Sequence, residues 1–248
     1  MAIPNSSQPD LAPDRTPGRT PAEPAQPASR AEAQAGGPFA LALLLAALAG
    51  WVDAAGVSGA GALFVSFMSG DTTQGAIAAA QLDWFRVVQV ASVIGCFVTG
   101  VAAGELLDRP FGRFGPTVVL LAEAACLALG AWLPERVPGM IPWTDLWFLA
   151  FAMGLQNATM HRAGGINVGL TYITGTLVQF GRAVAALLLG GGDWRRAGCF
   201  AGLWISLAAG ACASAVMLPV SRYDTLLAAA ATSALLAAIC ALPSVCPR

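Results

Sequence analysis

Residues 152–158 read AMGLQNA and residues 171–177 read TYITGTL, and a similar pair of words occurs earlier, GWVDA at 50–54 and FMSGDT at 67–72. In both pairs a glycine precedes an acid or an amide by three positions, and a second glycine follows a hydroxyl residue. The first pair supplies Gly50, Asp53, Ser69 and Gly70, and the second supplies Gly154, Asn157, Thr174 and Gly175. This recurrence predicts two homologous halves with polar groups at matching positions.

The composition bounds the class of protein. Of the 248 residues, 56% are hydrophobic and only 11% are charged, whereas soluble domains carry about 25% charged residues. The composition therefore predicts a polytopic membrane protein whose main partner is the lipid bilayer. The formal net charge of −1 gives no basic surface for nucleic acid.

Eight apolar segments follow one another along the chain, most of them near the ~20 residues that a membrane-spanning helix needs. They lie at 39–57, 62–80, 86–107 and 115–133, and then, after a polar break with three prolines, at 144–160, 166–190, 197–218 and 223–243. The predicted fold is an all-α polytopic transmembrane bundle of six to eight membrane segments, some of them broken or re-entrant. Repeat 1 covers about 39–133 and repeat 2 about 144–243.

The first 37 residues differ from the rest, because they are rich in Pro, Ala, Ser and Gln. Such a segment buries too little apolar surface to offset its ordering entropy. We predict a disordered tail over residues 1–37, which is too long and too polar for a signal peptide, and a transmembrane domain over 38–248.

Two topologies fit the repeats. If every segment crosses the membrane, each half has four crossings and the halves are parallel; if the first two segments of each half form one broken unit, each half has three and the halves are inverted. The distribution of arginines between loops favours the inverted arrangement. Small residues at a spacing of four predict close helix packing at Gly100 and Gly104 and at Gly198 and Gly202.

The words GWVDA, FMSG, AMGLQNA and TYITGTL resemble the YoaK-like family of bacterial membrane proteins, whose function is unknown. Together the matching words span most of the chain after residue 38. Ser69 and Asp71 stand where that family usually has Thr and Asn, so the first copy departs from its pattern. The resemblance implies a multi-pass protein of the bacterial inner membrane, and it supplies neither a reaction nor a substrate.

Polar groups inside apolar segments are functional candidates, because charge in hydrocarbon costs roughly 2.5–3.5 kcal/mol on insertion scales. The predicted substrate-binding residues share the recurring words: Asp53, Ser69, Gly70, Asp71, Gln156, Asn157, Thr174 and Gly175. Glycine weakens a helix, and a broken helix exposes N–H and carbonyl groups that contact ions. The alternatives are that Asp53 caps a helix or meets water, and that the glycines form a packing groove without a ligand.

Three ionisable residues are candidates for coupling a proton or an ion to function. Asp53 is the first, and Glu123 and Arg182 are the others, each without a counterpart in the opposite half. Glu123 and Arg182 are predicted as a structural ion pair or a proton-coupling pair.

Sequence signatures of enzymes are missing: the chain has no GxSxG, HExxH or GxxxxGK[ST]. The six cysteines contain no CxxC pair and His161 is the single histidine, so no catalytic residue, metal site or cofactor is predicted. The leading hypothesis is a secondary transporter or carrier of a small molecule or ion. The alternatives are a membrane-embedded enzyme or lipid-handling protein, and a non-transporting structural or assembly factor.

Overall fold

The computed structural model describes residues 28–59, 61–137, 139, 141–163 and 173–242, and this part of the chain contains helices and no strands. The helices are α1 (Ala28–Val57), α2 (Met68–Ala80), α3 (Trp84–Asp108), α4 (Gly115–Arg136), α5 (Thr144–Ala163), α6 (Ile173–Leu188), α7 (Trp194–Met217) and α8 (Arg222–Cys240), with a 3-10 turn at Gly112–Phe114 before α4. The predicted all-α fold is confirmed.

Five stretches of the described chain are helical, long and apolar enough to cross a membrane. They are Phe39–Val57, Trp84–Asp108, Gly112–Pro134, Trp194–Met217 and Arg222–Cys240, which correspond to α1, α3, α4, α7 and α8. The shorter helices α2 and α6, and the less apolar α5, lie outside this set.

The long helices pack mainly in pairs from opposite halves of the chain. Helix α1 packs against α7, α3 against α5 and α4 against α8, while α2 lies on α3 and α6 lies on α7. Helix α4 also packs against α5, the next helix along the chain. A core of buried leucines and small residues fills the space between them, with Leu45, Leu120, Leu149 and Leu236 among its members. Most of the bundle is therefore held together by contacts between residues far apart in sequence.

Residue contacts fix the directions of the helices. Gly202 lies beside Leu43 and Leu207 beside Gly50, so α1 and α7 run parallel. Helices α3 and α5 are also parallel, since the indole of Trp147 donates to the Ser92 hydroxyl at 2.8 Å and, further along both helices, Gly104 lies beside Ala158. The short connections after α3, α4 and α7 make the next long helix antiparallel in each case.

The start of α8 fixes the remaining direction. Arg222, at the start of α8, contacts Ala55 near the end of α1 and Asp145 near the start of α5. Helices α1, α4 and α7 therefore run one way, and α3, α5 and α8 run the other way.

Glycines allow the closest helix crossings. A Cβ added at Gly210 of α7 would overlap the Ala47 carbonyl of α1, and one added at Gly50 of α1 would overlap the Leu207 carbonyl of α7. Helices α3 and α5 cross in the same way at Gly100 and Gly154, which lie against backbone atoms of the partner helix. Glycine at these four positions lets the backbones touch.

The structure differs from the predicted packing motif in α7. A Cβ added at Gly198 would meet nothing within 4 Å, and Gly202 lies only near two side chains. The spacing of four residues identified Gly100 and Gly104 correctly, but the crossing in α7 is at Gly210, eight residues beyond Gly202.

Two helix boundaries also differ from the sequence prediction. Residues 28–37, assigned to the disordered tail, belong to α1, whereas residues 1–27 lie outside the described chain. The second helix begins at Met68 instead of residue 62, because side-chain carboxylates bind the backbone N–H groups just before it. The predicted segments 166–190 and 223–243 each extend into residues outside the described ranges, and their described parts are α6 and α8.

We predict that Gly210→Ala destabilises the protein by roughly 1–3 kcal/mol or prevents its assembly, since the added methyl group overpacks a backbone contact. Gly198→Ala is the matched control on the same helix, where there is open space, and it should leave the unfolding midpoint unchanged or slightly higher. Thermal unfolding of the purified protein in detergent measures both. Equal midpoints for the two variants would contradict the crossing.

Candidate functional site

The segment between α1 and α2, described at 58–59 and 61–67 and called here the 58–67 segment, folds back along the end of α1 and is held there by Asp53. The Oδ1 atom of Asp53 accepts hydrogen bonds from the backbone N–H of Val65 at 2.9 Å and of Ser66 at 2.8 Å. Its Oδ2 atom accepts a hydrogen bond from the Ser66 hydroxyl. One carboxylate thus replaces the helical partners that these two N–H groups lack.

A second carboxylate binds the same segment from α2. Asp71 is fully buried, and its Oδ1 atom accepts a hydrogen bond from the Phe64 N–H at 3.1 Å. The side-chain amide of Gln74 approaches the same oxygen at 3.4 Å. Three successive N–H groups, from Phe64 to Ser66, therefore bind to carboxylates.

The carbonyl groups of the segment meet a cation instead. Arg86, in the first turn of α3, donates to the Gly61 carbonyl and to the Ala62 carbonyl at 3.3 Å. The same guanidinium donates to Gln74 at 2.8 Å and to Gln89 at 2.8 Å. The side chains of three helices thus satisfy both kinds of backbone group in a segment that forms no helix of its own.

Arg222 fixes the end of α1 beside this segment. Its guanidinium donates to the Ala55 carbonyl, pairs with the Asp145 carboxylate of α5, and lies against Gly59. The indole of Trp51 donates to the Thr225 carbonyl of α8 at 2.9 Å. The last two turns of α1 are therefore tied to both α5 and α8.

A cavity of about 640 Å³ opens between α1, α7, the 58–67 segment and the start of α6. Its polar lining residues are Asp53, Ser58, Ser66 and Thr174. The rest of the lining is largely apolar and includes Phe64, Phe67, Leu207 and Cys212. The volume lies in the range of about 300–1,000 Å³ that is typical of small-molecule sites, which also combine apolar walls with a few polar groups.

Two of the predicted substrate-binding residues, Asp53 and Thr174, line this cavity. Ser69 lies exposed in the first turn of α2, and Gly70 lies against the Phe67 ring. Asp71 faces the segment from the α2 side. The first pair of recurring words thus contributes Gly50, Asp53 and Phe67 to the cavity lining, and its Asp71 supports the segment that forms one wall.

The other predicted residues lie elsewhere in the bundle. The Gln156 amide donates to the Leu45 carbonyl at 2.7 Å, so it joins α5 to α1. The Asn157 amide donates to the Met153 carbonyl of its own helix at 2.8 Å, and Gly175 lies half-buried near the start of α6. None of these three is among the residues that line the cavity.

Glu123 and Arg182 do not form the predicted pair. Glu123 is fully buried on α4, whereas Arg182 lies exposed on α6, which packs against α7. The pair was inferred because neither residue has a counterpart in the other half, and that observation carries no information on distance.

The sequence did not single out Ser66, Phe64, Phe67 or Arg86, which shape the cavity and its supporting network. One signal was available. An Asp-Trp dipeptide stands at the start of both α3 and α7, and Asp83 and Asp193 each cap the helix that follows by accepting a backbone N–H. Arg86 follows the first of these caps by three residues.

An all-helical bundle with five candidate spans and a buried polar network defines the class of a multi-pass integral membrane protein. The chain belongs to the family described as a protein of unknown function (DUF1275), which it matches over residues 41–239.

It is also 38% identical over 154 residues to the UPF0700 transmembrane protein RA0705 of Rhizobium meliloti (strain 1021). The match covers 61% of this chain and 64% of that relative, so the chain spans just under two thirds of the relative's length. No solved structure matches the chain. The prediction of an uncharacterised membrane family is confirmed, while the narrower assignment to the YoaK-like proteins stays a prediction.

We predict that Asp53→Ala loosens the 58–67 segment, because Val65 and Ser66 then lose a charged acceptor. Hydrogen bonds to charged groups contribute about 1.5–3 kcal/mol, so amide exchange in residues 63–67 should speed up roughly 10- to 100-fold. Hydrogen exchange followed by mass spectrometry measures this. Asp193→Asn, at the exposed cap of α7, is the control and should leave the exchange of this segment unchanged. Unaltered exchange in Asp53→Ala would show that the carboxylate does not hold the segment.

Proposed function

We propose that the protein is a secondary transporter or carrier of a small solute, and that the cavity beside Asp53 is its binding site. The observation that carries this proposal is the position of the cavity at a break in the helical structure, between α1, α7 and the 58–67 segment. Transporters place their sites where discontinuous helices leave backbone groups beside a cavity. Here Asp53 lines the cavity and holds the broken segment at the same time.

Equivalent contacts in the two halves support the predicted repeat. At the crossing of α1 with α7, Gly50 faces Leu207 and Gly210 faces Ala47. At the crossing of α5 with α3, Gly154 faces Phe97 and Gly100 faces Phe151. Gly154 and Phe151 of α5 follow Gly50 and Ala47 of α1 by 104 positions. Gly210 and Leu207 of α7 follow Gly100 and Phe97 of α3 by 110 positions. Four independent positions obey two constant separations, which is the property expected of a duplication.

The directions of the helices make the proposed repeats inverted. In the first half, α1 and α4 run one way and α3 runs the other way. In the second half, α5 and α8 run opposite to their counterparts α1 and α4, and α7 runs opposite to its counterpart α3. In inverted-repeat transporters the two halves exchange conformations, and the site opens alternately to the two sides of the membrane. A cavity beside α1 and α7, with an equivalent crossing at α5 and α3, is suited to that exchange.

The lining indicates what kind of solute the cavity would take. Among the described residues that line it, Asp53 is the only Asp, Glu, Lys or Arg, and the other polar side chains are hydroxyls and the Cys212 thiol. The Phe64 and Phe67 rings meet edge to face, with centroids 5.4 Å apart, and form an apolar wall. We therefore propose a small solute that carries a hydrogen-bond donor or a positive charge on an apolar body, carried across the bacterial inner membrane.

We predict that Ala211→Phe blocks this cavity and abolishes binding and flux, since Ala211 lines it on α7. Ala209→Phe is the matched control, because Ala209 is exposed on the same helix and does not line the cavity. A thermal-shift screen of the purified protein against small amines, amino acids and alcohols first finds a stabilising compound. Flux of that compound into vesicles containing each variant then tests the cavity.

The thiol of Cys212, which also lines the cavity, reports on binding independently of flux. The stabilising compound should slow its alkylation by N-ethylmaleimide in the wild type. If no compound of the panel stabilises the protein, or if flux is the same in both phenylalanine variants, the carrier proposal is overturned. Changes in lipid composition without flux would instead favour a lipid-handling role.

A further inference from the structure

Glu123 lies in the middle of α4, fully buried, and neither of its carboxyl oxygens has a hydrogen-bond donor. An ionised carboxylate in this position would lack both water and a counter-charge. Buried charges in folded proteins are paired or hydrogen-bonded, and a group that has neither is found in its neutral form. The carrier proposal makes no use of this residue.

The Ser233 hydroxyl of α8 lies beside Glu123, because it contacts α4 at Leu120, one helical turn before Glu123. A serine hydroxyl has one proton to donate, and Ser233 donates it to the Leu120 carbonyl at 2.9 Å. Toward Glu123, the Ser233 oxygen can therefore act only as an acceptor. A hydrogen bond between the two side chains then needs the proton to be on the glutamic acid.

Gln156 of α5 lies at about the same level of the bundle. Gly130 of α4 packs against Phe148 of α5. Glu123 lies two turns before Gly130, and Gln156 lies two turns after Phe148. Because α4 and α5 are antiparallel, these two steps lead in the same direction along the bundle. The Gln156 side chain is buried and donates to the Leu45 carbonyl, while its Oε1 atom has no donor. The Gln156 Oε1 atom is thus a second buried acceptor without a donor at this level.

The described charged and titratable side chains around α4 do not compensate Glu123. Cys126, one turn along α4, interacts with it electrostatically. No hydrogen bond from a described group reaches either Glu123 oxygen. The other described groups of this kind on the elements packed against α4 are Arg222, Tyr223, Asp224 and Cys240 on α8, Asp145 on α5, Arg86, Cys96, Glu105 and Asp108 on α3, and Arg113 in the 3-10 turn. Arg222 is paired with Asp145.

We propose that Glu123 is a proton-binding site at the contact of α4 with α8, occupied by a proton in the closed bundle. The neutral carboxylic acid donates its hydroxyl proton to the Ser233 oxygen. Release breaks the carboxyl O–H bond and transfers the proton to a water molecule that enters when α4 and α8 separate, which leaves the carboxylate hydrated. The site would thus bind a proton in one conformation of the bundle and lose it in another.

Infrared spectroscopy of the full-length protein in lipid vesicles tests this directly. A protonated carboxyl group absorbs at a higher frequency than a carboxylate, and its C=O band shifts to lower frequency in D₂O. We expect such a band at neutral pH in the wild type, its loss in Glu123→Gln, and its retention in Glu105→Gln, where the acid lies half-buried near the end of α3. Ser233→Ala should move the band to higher frequency, because it removes the acceptor.

The Ser233→Ala shift separates the proposed hydrogen bond from burial alone, and it does not depend on whether the protein transports anything. If Glu123→Gln fails to fold, isotope-edited spectra of wild-type protein labelled at the glutamate carboxyl carbons test the same band. The absence of a protonated carboxyl band at neutral pH, or a band unaffected by both Glu123→Gln and Ser233→Ala, would overturn the proposal.

Discussion

The arrangement of this bundle depends on one requirement, that backbone N–H groups removed from a helix still need acceptors where water is scarce. Between α1 and α2 those acceptors are the carboxylates of Asp53 and Asp71, which bind three successive N–H groups. Arg86 binds carbonyls of the same segment. Because the segment is held in this way, it can form a wall of the cavity without being a helix, and α2 can begin at Met68.

The acid at position 53 combines two of the roles that the sequence left open. Asp53 binds backbone N–H groups of the 58–67 segment, a role similar to the predicted alternative in which it caps a helix. It also lines the cavity. A residue with both duties is a difficult target for mutagenesis, since its loss changes the shape of the site as well as its charge. The phenylalanine substitutions in α7 avoid that problem because Ala211 supports no hydrogen-bond network.

The sequence predicted the helical class, the order of the elements and the residues that recur, since long apolar runs and glycine spacing depend on local chemistry. It placed Gly100 correctly at a helix crossing. Asp53 lines the cavity, and its role in binding stays a prediction. The sequence failed for the start of α2, for Gly210 and for the pair of Glu123 with Arg182. The Gly210 crossing and the pair depend on which distant helix lies opposite, and the start of α2 depends on the carboxylates that bind the N–H groups before it. Hydrophobic periodicity contains neither kind of information.

The crossings of α1 with α7 and of α3 with α5 join residues from opposite halves of the chain. During synthesis, α1 therefore leaves the ribosome long before its partner exists, and its glycine face has no helix to meet until residues 194–217 have been made. The first half cannot complete its own packing in the membrane. The bundle must instead complete its packing late, when the helices of the second half insert beside those already in the membrane.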